Sequence, residues 1–168
     1  MAAVDVHIGL ARLCDAVTIA GLSRDLIEAG LGWEYRPERI ARLMLSPDTV
    51  TVVASERGRC IGFALMTFGP ERAHLVLLAV RPSHRRLGIA TRLLDWLLRS
   101  ARTAGIASVH LELIDDNAAA RAFYRSIGFS ETIRLPGYYR GRKAAVRMVV
   151  VLRAPGATAP EWRPPARA

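Results

Sequence analysis

Hydrophobic positions along this chain follow a pattern that alternates between strands and helices, without internal repeats. Runs that alternate or stay apolar for a few residues predict strands, and apolar residues three and four positions apart predict helices. Strands are predicted near residues 4–10, 49–56, 59–68, 74–80, 108–113, 129–135 and 144–152. Helices are predicted over about 15–28, 37–45 and 117–127, with a long one that begins after 85–90 and ends near 104.

This order predicts an α/β or α+β domain over residues 1–153, with helices on both faces of a six- to seven-stranded sheet in three layers. A chain of 168 residues, of which 51% are hydrophobic, is long enough to bury one core. From Ala154 the sequence is rich in proline, and residues 154–168 are predicted to form a disordered tail.

The net charge of +9 would attract polyanions in general. The arginines are scattered, and no helix-turn-helix, zinc or aromatic RNA-binding signature is present, so no specific nucleic-acid partner is predicted. No apolar run approaches membrane-spanning length and the N-terminus shows no leader pattern, so we expect a cytoplasmic protein without a membrane partner. Cys14 and Cys60 fit no metal spacing and are predicted to be buried thiols; no metal is expected.

The segment Arg85-Arg86-Leu87-Gly88-Ile89-Ala90 connects the strand near 74–80 to the long helix. The first amides of a helix lack partners within it and carry the positive end of its dipole, so they can hold a phosphate. Gly88 and Ala90 leave room for one, and two arginines suit a diphosphate. The spacing matches neither G-x-G-x-x-G nor a P-loop, and the alternative is a basic turn with a glycine at a close helix–strand contact.

Residues 85–90 resemble the R/Q-x-x-G-x-G/A signature of the GNAT superfamily of N-acetyltransferases, which binds the pyrophosphate of acetyl-CoA. Residues 111–129 resemble the superfamily's next motif, roughly L-E-x-x-x-x-N-x-x-A-x-x-F/Y-Y-x-x-x-G-F. The two motifs stand in the family's order and at its usual separation, and the resemblance extends over about residues 4–152.

A narrower similarity links the chain to protein N-terminal acetyltransferases, including the bacterial ribosomal-protein alanine type. It rests on the strand at 111–113 and on Pro136-Gly137-Tyr138-Tyr139 followed by Ala145-Val146-Arg147-Met148. Paired tyrosines in a hairpin also occur in relatives that act on other amines.

The superfamily resemblance implies a GNAT-like fold: a mixed, mostly antiparallel sheet that splays between its fourth and fifth strands, with the pantetheine arm of acetyl-CoA in the opening. The backbone of Leu78 and Val80 would pair with that arm, and Asn117 would bond its far side, although Asn117 could also be a plain helix cap. The implied coenzyme-binding residues are Leu78, Val80, Arg85, Arg86, Leu87, Gly88, Ile89, Ala90, Thr91 and Asn117.

Glu112 is the first candidate for a catalytic base, because strand alternation places it on the face opposite Leu111 and Leu113. The alternative is a solvent-facing or salt-bridged glutamate. Tyr124 is the candidate acid, since a phenol with a pKa near 10 can protonate a leaving thiolate; the alternative is a core tyrosine. His74 is a second candidate base, because some relatives carry a glutamate base at that point, and it could equally be an ordinary histidine.

Tyr138 and Tyr139 are predicted to lie in a loop between the last two strands. A similar pair closes over the first residues of the substrate in N-terminal acetyltransferases. Trp33 and Tyr35, after the first helix, are candidates for the opposite wall of a substrate site. The alternative for both pairs is an aromatic contact that packs a loop onto the sheet.

Together these features predict an acetyl-CoA-dependent N-acetyltransferase that moves an acetyl group to a primary amine by direct attack, with a protein N-terminus as the leading acceptor. A small-molecule amine acceptor and a catalytically idle acyl-CoA-binding domain are the alternatives. The presence of both Glu112 and Tyr124 argues against the idle domain. Either a monomer or a homodimer is compatible with the sequence.

Overall fold

A computed structural model describes residues 5–153 of the chain, so the Pro-rich segment predicted over 154–168 lies outside the described residues. Seven strands form one sheet, and four α-helices pack on it within this range. The strands are β1 (Val6–Leu10), β2 (Thr49–Glu56), β3 (Arg59–Phe68), β4 (Arg72–Val80), β5 (Ser108–Ile114), β6 (Ser130–Tyr139) and β7 (Lys143–Val151). The helices are α1 (Ala16–Leu26), α2 (Pro37–Leu45), α3 (Ile89–Thr103) and α4 (Ala118–Ile127).

The sheet has the strand order β1-β2-β3-β4-β5-β7-β6, and its neighbouring strands are antiparallel except for β4 and β5. The parallel β4–β5 ladder contains three residue pairs, of which the last joins His74 to His110. Beyond that pair β4 continues to Val80 and β5 to Ile114 without pairing to each other. The predicted mixed, mostly antiparallel sheet that splays between its fourth and fifth strands is therefore confirmed.

Two hydrophobic clusters fill the space between the sheet and its helices, one on each face. The larger cluster lies under α3 and α4, where Leu93, Leu94 and Leu97 are fully buried. The smaller one lies under α1 and α2, around Ile19 and Ile40. Helices thus cover both faces of the sheet, which confirms the predicted three layers. None of the helices in residues 5–153 is both long and apolar enough to cross a membrane.

The prediction that Tyr138 and Tyr139 lie in a loop was wrong, because both residues belong to the end of strand β6. The chain reverses after them, at Arg140 and Gly141, which have φ of 52° and 70°. Tyr139 pairs with Lys143 across this turn.

Smaller differences concern single residues. The first strand begins at Val6, and α1 ends at Leu26, two residues before the predicted end. Cys14 is exposed, whereas it was predicted to be buried, and Cys60 is half-buried.

Candidate active site

The separation of β4 from β5 exposes one edge of each strand to an opening in the sheet. The N–H of Arg81 donates to the carbonyl of Ile61 on β3 at 2.8 Å. Because backbone groups of a strand point alternately to its two sides, the N–H groups of Leu78 and Val80 point away from β3, into the opening. The opening therefore presents backbone N–H groups at the two positions that the resemblance implies for the pantetheine arm.

The loop between β4 and α3 presents a run of backbone N–H groups at the N-terminus of a 15-residue helix. Arg86 and Gly88 have positive φ, 60° and 74°, and this alternation forms a concave nest of amides. A Cβ added to Gly88 would meet no atom within 4 Å, so open space lies above it. Arg85 is held at the end of β4 by a bond from its Nε to the carbonyl of Val80 at 3.2 Å. These features fit an anionic diphosphate.

The remaining residues of the loop divide between core and surface. Ile89 is 2% exposed and packs into the larger cluster, so only its backbone is available to a ligand. Leu87 and Thr91 are exposed, and Ala90 packs partly against that cluster. Asn117 caps α4, because its Oδ1 accepts from the N–H of Ala120 at 3.1 Å. Asn117 is therefore a helix cap, and its contact with a coenzyme stays a prediction.

Glu112 and His74, the two candidate bases, are hydrogen-bonded to each other. Oε2 of Glu112 lies 2.5 Å from Nε2 of His74, and Oε1 accepts from Nε of Arg147 at 2.8 Å. The carboxylate is 8% exposed, and the bond from His74, followed by that from Arg147, holds the pKa of Glu112 below its ordinary value. Because an ionised carboxylate only accepts, this bond requires a proton on Nε2 of His74. The other ring nitrogen, Nδ1, has no hydrogen-bond partner within residues 5–153.

Tyr124 lies on the sheet face that α4 covers, opposite to the face of Glu112. It packs among the residues under α4, with its ring edge-on to Phe123 and Phe129 at 5.0 and 5.5 Å. Burial raises its pKa, and the nearby Tyr139 adds to this effect, so the hydroxyl stays protonated as a donor. Within residues 5–153, this hydroxyl forms no hydrogen bond. Because Leu111 and Leu113 face α4 and Glu112 faces away from it, the candidate acid and the candidate base lie on opposite faces of the sheet.

A cavity of about 300 Å³ lies next to the His74–Glu112 pair. Its walls come from the α1–α2 loop, from β4 and β5, and from the end of β6. Tyr35, Tyr138 and Tyr139 line it, and the last two rings meet edge-on at 5.0 Å. We refer to it below as the acceptor cavity.

The two walls meet at the rim of this cavity. Arg140, in the β6–β7 turn, lies 3.7 Å from Glu34 in the α1–α2 loop. Its guanidinium rests over Gly32, where an added Cβ would come within 2.6 Å of Cζ. Gly32 also has a φ of 89°, which favours glycine there, whereas the flexible end of Arg140 could move away from an added Cβ.

Trp33 does not line the acceptor cavity. Its indole N–H donates to the carbonyl of Ala20 at 3.2 Å, and its ring packs against α1, between Arg24 and Arg36. Trp33 therefore anchors the loop that carries Tyr35.

Sequence reasoning missed two residues that shape the site. Glu28 is 7% exposed and accepts from the backbone N–H groups of Glu34 and Tyr35 at 2.6 and 3.1 Å, so it holds the α1–α2 loop in place. Arg147, which holds Glu112, lies directly opposite it in the β5–β7 ladder. The motif around 145–148 included Arg147, but nothing local in the sequence shows its partner.

Comparisons with known proteins agree with this geometry. The profile of the acetyltransferase (GNAT) family matches residues 22–129. The N-alpha-acetyltransferase RimI of Mycobacterium tuberculosis is 34% identical over 139 residues, which cover 80% of this chain and 85% of that protein. The [ribosomal protein bS18]-alanine N-acetyltransferase of Escherichia coli is 33% identical over 99 residues, 57% of this chain and 67% of that protein.

Among solved structures, that of Arabidopsis thaliana NAA60 in complex with acetyl-CoA superposes with a TM-score of 0.77. It shares 19% identity and covers 88% of this chain and 98% of its own, so it shows a common fold. The family profile spans both motifs and more than half of the chain. The chain belongs to the acetyltransferase (GNAT) family and is an N-acetyltransferase.

Proposed function

We propose that this N-acetyltransferase, whose acetyl donor is acetyl-CoA, acts on the α-amine of a protein N-terminus. The observation that carries the proposal is the acceptor cavity, which places three tyrosines around the His74–Glu112 pair. Hydroxyls at the ends of rigid aromatic rings can grip the backbone of an extended peptide. One of the two relatives named above is an N-alpha-acetyltransferase by name, and the other acetylates an alanine of ribosomal protein bS18 by name, which supports a protein α-amine as acceptor.

Acetyl-CoA, when bound, supplies an acyl group that is already activated as a thioester. In our proposal the amide nest at 86–91 holds its diphosphate, with charge from Arg85 and Arg86, and the free edge of β4 at Leu78 and Val80 pairs with its amides. In the same proposal Asn117, at the mouth of the opening, also binds the coenzyme, in addition to capping α4.

The proton of the attacking amine goes to the His74–Glu112 pair. Glu112 is ionised and buried, whereas the His74 side chain is 43% exposed, so the imidazole Nδ1 is the accessible acceptor and Glu112 orients it. Arg147 donates a hydrogen bond to the other oxygen of the Glu112 carboxylate and holds it in position. Glu112 thus serves as base through His74, in the way that a carboxylate orients an imidazole in other proton-transfer sites.

Tyr124 supplies the proton that the departing sulfur needs. Its raised pKa keeps the hydroxyl protonated, and Tyr124 lies on the sheet face opposite to Glu112. Nitrogen can therefore approach from one face and sulfur can leave toward the other, with one proton accepted and one donated.

The test is a panel of peptides that share one sequence and differ in their reactive amine. We expect kcat/KM for the free α-amine peptide to exceed that for the same peptide with a blocked N-terminus and an internal lysine by at least ~10²-fold. Release of CoA, followed spectroscopically, gives the rates, and mass spectrometry locates the acetyl group. Equal or faster turnover of a polyamine or another small amine would instead establish a small-molecule acceptor.

A further inference from the structure

A second cavity, of about 450 Å³, adjoins the acceptor cavity and shares His74 and Glu112 with it. It lies at the end of β4 where that strand still pairs with β5, on the sheet face opposite α3 and α4. Its walls come from the β3–β4 hairpin, β5 and β7. We refer to it as the basic cavity.

Four basic side chains line this cavity: Arg72, His74, His110 and Arg147. Glu112 is the one acidic residue in its lining, and both oxygens of that carboxylate are bonded to His74 and Arg147. Arg72 is exposed, and its side chain forms no hydrogen bond or ion pair within residues 5–153. The cavity therefore contains positive charge that the described residues do not neutralise.

The strand register places these side chains close together. His74 pairs with His110 across β4 and β5, and Arg72 stands two residues before His74 on the same face. Neighbours of this kind on one sheet face lie about 5–7 Å apart, which a carboxylate or phosphate can bridge. The pKa of His110 is lowered, first by burial and then by Arg72 and Arg147, which agrees with a positive local potential.

We propose that the basic cavity binds an acidic group of the acceptor, held chiefly by Arg72, while the amine of the same molecule lies at the His74–Glu112 pair. The inference rests on the proposed function and adds a substrate preference to it: N-termini with Asp or Glu soon after the first residue. Because both cavities meet at His74 and Glu112, one short peptide can reach both. A planar guanidinium without a partner suits a carboxylate, which it can bind through two parallel hydrogen bonds.

The experiment compares matched peptides that carry Asp, Asn or Lys at the second and third positions, in wild type, Arg72→Gln and Arg102→Gln. Arg102 is an exposed arginine of α3, on the other face of the sheet, so its variant matches the change in net charge. In wild type we expect a KM about tenfold lower for Asp than for Asn peptides, with similar kcat. This preference should disappear in Arg72→Gln and persist in Arg102→Gln.

A second arm titrates inorganic phosphate into each protein by calorimetry, with ionic strength held constant. Phosphate binding that requires Arg72, together with competition against Asp peptides but not Asn peptides, supports the acceptor subsite. Phosphate binding without any preference for Asp peptides means that the cavity takes a free anion, and this overturns the proposal. Equal KM values for Asp and Asn peptides in wild type and Arg72→Gln overturn it as well.

The two arms also separate this inference from the proposed function. If no peptide is acetylated but small amines are, the proposed α-amine function fails. In that case the comparison is repeated with pairs of small amines that differ only in a carboxylate. A lower KM for the carboxylate compound that is lost in Arg72→Gln supports the subsite, and equal KM values overturn it. An absence of both preference and phosphate binding overturns the subsite alone.

Discussion

The contact between His74 and Glu112 joins residues 38 positions apart in the sequence. Alternation along β5 correctly placed Glu112 on the face opposite Leu111 and Leu113, because that signal is local. The pairing of Glu112 with His74 and Arg147 depends on which strands are neighbours and in which register, and no local pattern encodes that. The sequence therefore offered two separate candidate bases where the structure has one bonded pair.

Tyr124→Phe keeps the ring that packs against Phe123 and Phe129 and removes only the hydroxyl. If that hydroxyl protonates the departing sulfur, turnover should fall by roughly 10²–10⁴ while the affinity for acetyl-CoA stays near wild type. Steady-state rates and calorimetric binding measure the two quantities, and thermal unfolding checks the fold. Full activity of the variant would show that Tyr124 is structural.

The lowered pKa of Glu112 makes the stability of the protein depend on pH. The carboxylate has an ordinary pKa of 4.5 when unfolded and a lower one when bonded to His74 and Arg147. Its stabilising contribution is therefore complete above about pH 4.5 and is lost as the pH falls through the folded value. Urea unfolding between pH 6 and 3 should show a loss of stability in wild type that is smaller in Glu112→Gln. Parallel curves for the two proteins would contradict this linkage.

At the scale of elements, residue patterns predicted strand bounds correctly where the turn residues and the strand pattern indicated the same structure. The β2–β3 hairpin was predicted with its observed bounds, because Arg57 and Gly58 make a tight turn with positive φ between two alternating strands. In β6 the same kind of signal misled the prediction. A loop was predicted at Tyr138 and Tyr139, after Pro136 and Gly137, but all four residues lie within the strand, where the register shifts between Leu135 and Tyr139. A shift of this kind lets a strand tolerate proline and glycine without turning.

Gly88→Glu tests the nest between β4 and α3, since it introduces a carboxylate where open space lies above the amides. We expect the affinity for acetyl-CoA to fall by more than ~10-fold. Gly58→Glu is the matched control, because Gly58 has a similar φ of 77° and open space, but lies in the β2–β3 turn. Both variants should lose similar stability from left-handed strain, and only Gly88→Glu should lose coenzyme affinity. Wild-type calorimetric affinity in a folded Gly88→Glu protein would remove the coenzyme from this loop.

At the scale of the whole molecule, the order of strands and helices allowed the three layers to be predicted, and the family resemblance supplied the splay. What could not be predicted from residue patterns is where the β4–β5 ladder stops. The ladder stops at His74, two residues before a bulge at Val76, the extra residue of β4 between the pairs Met66–Leu75 and Leu65–Leu77. Strand pairing of this kind involves residues far apart in the sequence, so no local pattern encodes it.

Only three residue pairs join β4 to β5, so the sheet consists of two parts with a short connection. Strands β1 to β4 form one part, and β5, β7 and β6 form the other. A ligand that binds along the opening would connect β4 to β5 where the two strands do not pair with each other. Amide hydrogen exchange should therefore slow over 75–80 and 111–114 when acetyl-CoA binds, while 49–56 exchanges as before. Unchanged exchange rates at the edges of the opening would contradict this stabilisation by the ligand.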